Sequence, residues 1–190
     1  MRRMIAAFAL LALTGFYAAT AALQTARADQ DDSRLAPLFE MLRTTEDVES
    51  AILAERRIWA IWLQHDDPDI EKMMAAGTTA MSVGALKEAR AAFDRMIELD
   101  PGYAEAWNKR ATVEYALGNY EASLSDIEET LKREPRHFGA LAGKGLVFSA
   151  MDELEAAVQA FEETLEVHPN SPGAKTNIEL LEQALQDRSI

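Results

Sequence analysis

Apolar residues recur along this chain at three- and four-residue intervals, the spacing of one buried face of an α-helix, and the runs break at regular places. Three breaks are prolines, Pro101, Pro135 and Pro169, which stand 34 residues apart. Each follows an amphipathic run with a polar end (IELD, LKRE, LEVH), where a residue without an N–H stops one helix and lets another begin. Midway between them lie the second breaks, Val83-Gly84-Ala85, Leu117-Gly118-Asn119 and Met151-Asp152-Glu153. Glycine accepts the left-handed conformation that ends a helix, and aspartate tolerates it better than most residues. The pattern therefore predicts helix-turn-helix three times over. A period of this length implies stacked repeats around one elongated core.

Aligned on the prolines, the repeats run from Ile70 to Tyr103, Ala104 to His137 and Phe138 to Ser171 without a gap. The fourth place holds Met73, Trp107 and Leu141, and the eighth holds Gly77, Ala111 and Gly145, small residues where two helices cross closely. The seventeenth holds Leu86, Tyr120 and Leu154, the twentieth Ala89, Ser123 and Ala157, the twenty-fourth Phe93, Ile127 and Phe161. After Pro172-Gly173, Ile178, Leu181 and Leu185 mark a final helix with a charged outer side, the cap a solenoid needs. Upstream, Leu35, Leu38, Phe39 and Leu42 form a short helix. Thr44 or Thr45 would cap a second, carrying Val48, Ile52, Trp59, Trp62 and Leu63. Counting back one period from Pro101 reaches Asp67, one short of Pro68, so this pair reads as a degenerate repeat. Trp62, at a normally small place, suggests non-standard packing. The polar stretch Asp29 to Ser33 is expected to be disordered.

The segment AEAWNKRATVEYALGNYEASLSDIEETLKREP resembles the tetratricopeptide repeat family in its Trp, small residue, Tyr, Ala and Pro, and the likeness covers residues 70–171. It implies an all-α fold, a right-handed superhelix of antiparallel helix pairs, in which the first helix of each pair lines a concave groove. The units would be 1–28 (leader), 29–34 (disordered), 35–66 (leading pair), 67–103, 104–137 and 138–171 (three repeats) and 172–190 (cap and tail). By the same resemblance the groove would present Met74, Thr78 and Met81 from the first repeat. The second would give Asn108, Thr112 and Tyr115, and the third Ala142, Leu146 and Ser149, and Lys109 joins them on its charge. Members that clamp a partner's terminal carboxylate use lysine, asparagine and other basic residues where this chain has Met74, Thr78, Gly139 and Gly143, so that clamp is absent. Arg110 replaces a usual apolar residue, and Met96, Thr130 and Thr164 replace a usual alanine, which leaves the fold intact and changes local packing.

Composition adds a location. Arg2 and Arg3 precede an uncharged apolar stretch from Ile5 to Ala26, and Ala26-Arg27-Ala28 offers a small-x-small cleavage site, the layout of a secretory signal peptide. An uncleaved inner-membrane anchor is the alternative, since Ile5 to Leu23 nearly spans a bilayer. With no cysteine there is neither lipidated Cys, disulfide nor thiolate metal site. The expected location is a bacterial periplasm. Without Arg2, Arg3 and Arg27 the chain holds 16 basic residues against 32 acidic, a balance that repels nucleic acid and anionic lipid.

Little points to chemistry. His65, His137 and His168 lie in different repeats with no second ligand at helical spacing, so no metal site is expected and a capping role is preferred for the last two. No phosphate loop, nucleophile elbow or zinc helix appears, and no cofactor or enzymatic activity is expected. Asp66-Asp67-Pro68-Asp69 reads as a helix cap with proline at the first helical position, ahead of weak calcium binding. Trp107 reads as core, while Trp59 and Trp62 are either core or a docking surface. Six basic residues (Lys109, Arg110, Lys132, Arg133, Arg136, Lys144) fall between Ala104 and Lys144, so Asn108, Lys109 and Arg136 are candidates to meet an acidic or hydrogen-bonding partner. The competing reading pairs Arg110 with Glu114. Gly145 has a packing role, whereas Gly139 and Gly143, at the groove, would let a partner approach. The chain is thus expected to be a non-enzymatic adaptor that binds another protein in its groove. A self-associating scaffold is the alternative, and an envelope enzyme a third.

Overall fold

The computed structural model describes residues 30–188, so the signal or anchor expected over 1–28 lies outside the described residues. Among these residues there are nine α-helices and no strand. They are α1 (Leu35–Thr44), α2 (Val48–Trp62), α3 (Pro68–Ser82), α4 (Leu86–Leu99), α5 (Ala104–Ala116), α6 (Tyr120–Arg133), α7 (Phe138–Ala150), α8 (Leu154–Val167) and α9 (Pro172–Arg188). Helices α3/α4, α5/α6 and α7/α8 form the three repeats, and α9 closes the end against α8.

Each repeat closes on a large ring or branched chain seated against a small residue. A Cβ added to Gly77 would lie 2.6 Å from the Phe93 ring, and one added to Gly145 would lie 2.7 Å from the Phe161 ring. Ala111 and Ile127, the equivalent pair, are buried in one cluster. The turns inside the repeats take the left-handed conformation at Gly84 (φ 75°), Gly118 (φ 79°) and Asp152 (φ 67°), so the aspartate does stand in for glycine. Asp67 caps α3, accepting from the Asp69 N–H at 2.8 Å, with Pro68 in the first turn. The cap of α2 is Asp47, which accepts from the Ser50 N–H at 2.9 Å. Thr45, expected there, instead accepts from the Asp47 N–H at 3.1 Å and holds the turn before the cap.

Arg110 does not pair with Glu114. Its Nη1 reaches Asp94 at 2.8 Å and its Nη2 reaches Asp126 at 2.6 Å, tying α4, α5 and α6 together, while Glu114 pairs with Arg90 at 2.7 Å. The Asp126 hydrogen bonds hold the guanidinium above its already high range. A charge at a usually apolar place is thus matched by two carboxylates, one of them buried.

The leading pair departs most from expectation. Leu35, Leu38, Phe39 and Leu42 of α1 pack on Ala51, Ala54, Ile58, Ile61 and Trp62 of α2, so the hairpin forms. It does not stack in front of the first repeat, since α2 hardly touches α3. Instead it lies lengthwise across the three turns that join or end the repeats. At the first turn, Tyr103 Oη donates to the Trp62 carbonyl at 2.7 Å, and Gln30 bonds to the Gly102 carbonyl and the Ala104 N–H. At the second, the Trp62 ring stacks on His137 with centroids 4.0 Å apart and planes 8° apart, and the Arg136 guanidinium covers Phe39. At the third, Asn170 donates to the Thr45 carbonyl at 2.9 Å, and His168 meets Glu55. Trp62 is therefore a core residue of this seam, and Trp59 packs against it half-buried. Within the polar stretch before α1, Gln30 bonds to the first turn and Asp32 is buried with its carboxylate on Arg34.

The two glycines of α7 give opposite predictions for stability. Gly145→Ala forces a methyl into the Phe161 ring and should destabilise by about 1–3 kcal/mol. In Gly143→Ala the methyl meets only Ile127 Cδ1 at 3.7 Å, and the gain in helix propensity should stabilise by up to about 1 kcal/mol. Urea unfolding of the two variants checks both signs.

Candidate functional site

A concavity of the array lies between α5 and α7 over a floor supplied by α6. Asn108, Ala111, Thr112 and Tyr115 line it from α5, Ser123 and Ile127 from α6, and Gly139, Ala142, Gly143, Leu146 and Val147 from α7, enclosing about 170 Å³. The space exists because alanine and glycine occupy places where longer side chains would meet. Its lining is mainly apolar, and two of its hydroxyls are already used, Thr112 donating to the Asn108 carbonyl and Ser123 to the Ala111 carbonyl. Tyr115 keeps its hydroxyl without a hydrogen bond among the described residues, and its ring lies 5.9 Å from that of Tyr120. The site can thus accept one apolar side chain and hydrogen-bond to its backbone.

Of the expected groove residues, the structure gathers Asn108, Thr112, Tyr115, Ala142 and Leu146 here. It does not bring in the first repeat. Met74 is buried, and Met81 is half-buried in the cluster that also holds Tyr103 and Trp107. Thr78 is exposed and donates weakly to the Met74 sulfur at 3.8 Å. Ser149 is half-buried outside the cavity. The floor residues Ser123 and Ile127 were not anticipated, because the resemblance assigns the groove to first helices only. Their twentieth and twenty-fourth places in the repeat, facing a run of small residues, carry the signal.

The basic residues expected to meet a partner are occupied within the chain. Asn108 donates to Glu105 Oε2 at 3.0 Å, Lys109 lies 3.1 Å from Glu105 Oε1 and over the Trp59 ring, and Arg136 pairs with Glu134 at 2.7 Å. Trp107 sits half-buried between Arg110 and Arg133, its Nε1 donating to the Pro101 carbonyl. Gly139, read as room for a partner, has an internal reason. A Cβ there would lie 2.6 Å from the Trp59 ring, so the hairpin itself makes the close approach. Gly139 also lines the cavity, which places Trp59 beside the groove's end.

Beneath that end, Glu105 is buried and accepts from both Asn108 and His137, the latter at 2.9 Å. Burial by itself would raise its carboxyl pKa. The His137 hydrogen bond and the Lys109 charge outweigh it and hold the group below its ordinary range. No group of three or more potential metal-ligating side chains occurs among the described residues.

Comparison with known proteins agrees with this architecture. The tetratricopeptide repeat family matches residues 74–127 and 108–175, and the chain belongs to that family. A TPR repeat-containing protein of Rhizobium etli is 35% identical over 101 residues, which are 53% of this chain and 50% of the relative. The chain thus spans about half that relative's length. Among solved structures, the first TPR of Spaghetti (RPAP3) bound to an HSP90 peptide superposes with a TM-score of 0.60 at 22% identity, covering 64% of this chain and 96% of that one. MamA superposes with a TM-score of 0.59 at 23% identity, covering 80% of this chain and 86% of the other. At these identities the likeness concerns the fold.

The Glu105 carboxyl is easier to ionise in the folded chain than when unfolded, so its contribution to stability is present above about pH 4.5 and is lost as pH falls through the folded value. Glu105→Gln should therefore flatten the fall in unfolding free energy below about pH 4.5, by up to about 1.4 kcal/mol per pH unit. Urea titrations of both proteins across that range measure the difference.

Proposed function

We propose that this chain is a non-enzymatic interaction module that captures a segment of another protein in the α5–α7 groove, as an adaptor of the bacterial cell envelope. The observation that carries the reading is the cavity itself, a mainly apolar recess with the unbonded Tyr115 hydroxyl at its edge. One apolar side chain of the partner fills the recess, and Tyr115 bonds to its main chain. The first TPR of Spaghetti, solved bound to an HSP90 peptide, supports this use of the scaffold. The envelope location rests on the basic, apolar and A-x-A pattern of residues 1–28.

A photo-crosslinking residue placed at Leu146, which is 40% exposed, should capture a defined partner in cells, whereas the same residue at Leu180 on α9 should not. Thr112→Trp, at an exposed groove position, should fill the recess and lower that capture at least about tenfold. Its unfolding free energy should stay within about 0.5 kcal/mol of the parent. Equal capture from both positions, or undiminished capture by the folded tryptophan variant, would refute groove binding. Capture confined to copies of the chain itself would favour the scaffold reading.

A further inference from the structure

The leading hairpin has two sides, and the array covers the inner one, where Trp59 and Trp62 meet Phe138 and Trp62 stacks on His137. The outer side has no such cover. Of the ten large hydrophobic residues that stand exposed among the described residues, five lie in or next to the hairpin, Met41, Val48, Ile52, Leu53 and Leu63, although it supplies two of the nine helices. A helix pair with apolar residues on both sides has a second surface to bury.

That outer side holds a groove of about 490 Å³ bounded by the hairpin and its ends alone. Arg34, Pro37, Leu38 and Met41 line one wall, the spacing of a single helical ridge. Arg57, Ala60, Ile61 and Gln64 line the other at the same spacing. The ridges are about 10 Å long and antiparallel, so Arg34 stands beside Gln64 at one end, donating to its Oε1 at 3.3 Å, and Arg57 stands at the other. Leu38 and Ile61 are buried and form the floor, while the exposed Ala60 is small enough to leave the groove deep.

The charges at the two ends define what the groove accepts. Arg34 is more than half exposed and shares its charge with Asp32 at 2.6 Å. Arg57 pairs with no carboxylate among the described residues. The residues three and four places from it are Leu53, Ala54, Ala60 and Ile61, so its own helix offers none. The contrast with the array is plain, because Arg90, Arg95, Arg110, Arg133 and Arg136 each meet a carboxylate there. In a chain this acidic, a guanidinium left unpaired at the end of an apolar groove is available to an incoming acid.

We propose that the outer groove of the hairpin docks an amphipathic helix of another protein, whose apolar stripe is flanked by acidic residues, completing a three-helix bundle with α1 and α2. The stripe lies between the two ridges, the flexible Met41 adapts to it, and carboxylates about seven residues apart reach Arg34 and Arg57. A helix suits this site and a strand does not, because a helical hairpin has no free main-chain edge to pair. A flat anionic bilayer would also meet Glu40, Glu46, Asp47 and Glu49, all exposed on the same hairpin. A second copy of the chain offers no matching stripe at its far end, where α9 exposes Leu180 as its one large hydrophobic residue. The site shares no residue with the α5–α7 groove, so it stands whether or not that groove binds a partner.

The probe is a set of helix-locked peptides of about four turns that share one leucine stripe and carry glutamate, serine or lysine beside it. Fluorescence anisotropy measures their binding to the whole protein. The glutamate peptide should bind at least about tenfold more tightly than the lysine peptide. Arg57→Glu should remove that preference, and Ala60→Trp, which fills the groove, should weaken binding of the glutamate peptide at least about tenfold. Both positions are exposed, so both variants should keep the parent's urea midpoint. Thr112→Trp should leave peptide binding unchanged, which separates this site from the α5–α7 groove. No binding at about 1 mM peptide, binding indifferent to the flanking charge, or a preference that survives Arg57→Glu overturns the proposal. Phosphatidylglycerol vesicles bound through Arg57 in place of the peptides would assign the face to a bilayer, and a dimer that Ala60→Trp dissociates would assign it to a second copy. Either result also overturns it.

Discussion

A large side chain resting on a small one sets the spacing of every helix pair in the array. Phe93 on Gly77, Ile127 beside Ala111 and Phe161 on Gly145 occupy the same two places of the 34-residue period, so the helices cross at the same depth in each repeat. Two things follow from that constancy. The turns that close each repeat fall into a row, presenting Tyr103, His137 and Ser171 at equivalent places, and the first helices of the second and third repeats stand far enough apart to leave a groove between them. The hairpin uses the row, and the proposed partner would use the groove.

The two uses meet at Gly139. One side of this residue lines the cavity, and the other receives the Trp59 ring. The buried carboxylate of Glu105 lies just beneath, bonded to Asn108, a groove residue, and to His137, which stacks on Trp62. Hairpin and groove therefore share a small polar centre in a structure that is otherwise built from separate repeats. The basic residues of the middle segment serve the same internal purpose, with Arg110 joining three helices and Arg136 lying between Glu134 and Phe39.

The repeat architecture was readable because periodicity is a local property. Prolines, turn glycines and the small eighth place each act within a few residues of where they stand, and Asp152 and Asp67 do in the structure what their chemistry implies. The groove was readable only in part. Thr112, Tyr115 and Leu146 project where the register puts them, but Met74 and Met81 are flexible enough to turn into the cluster around Tyr103 and Trp107 and fill the first interval. The position of the hairpin was not readable at all. Its contacts join residues such as Thr45 and Asn170, far apart in the chain, and no spacing rule relates them. Two clues were nevertheless present, the out-of-step Pro68 and the bulk of Trp62, which together rule out an ordinary fourth repeat.

The placement of the hairpin across the repeat turns is the central claim, and the absence of native cysteine makes it open to a direct test. With Thr45→Cys and Asn170→Cys introduced together, a short thiol crosslinker should join the two positions within one molecule at neutral pH, because the Asn170 side chain reaches the Thr45 carbonyl at 2.9 Å. Rapid intramolecular crosslinking in a folded, monomeric variant is the predicted result. If the hairpin instead stacks ahead of α3 as a fourth repeat, those positions lie at opposite ends of the array, and a folded variant that gives no intramolecular product would contradict the account.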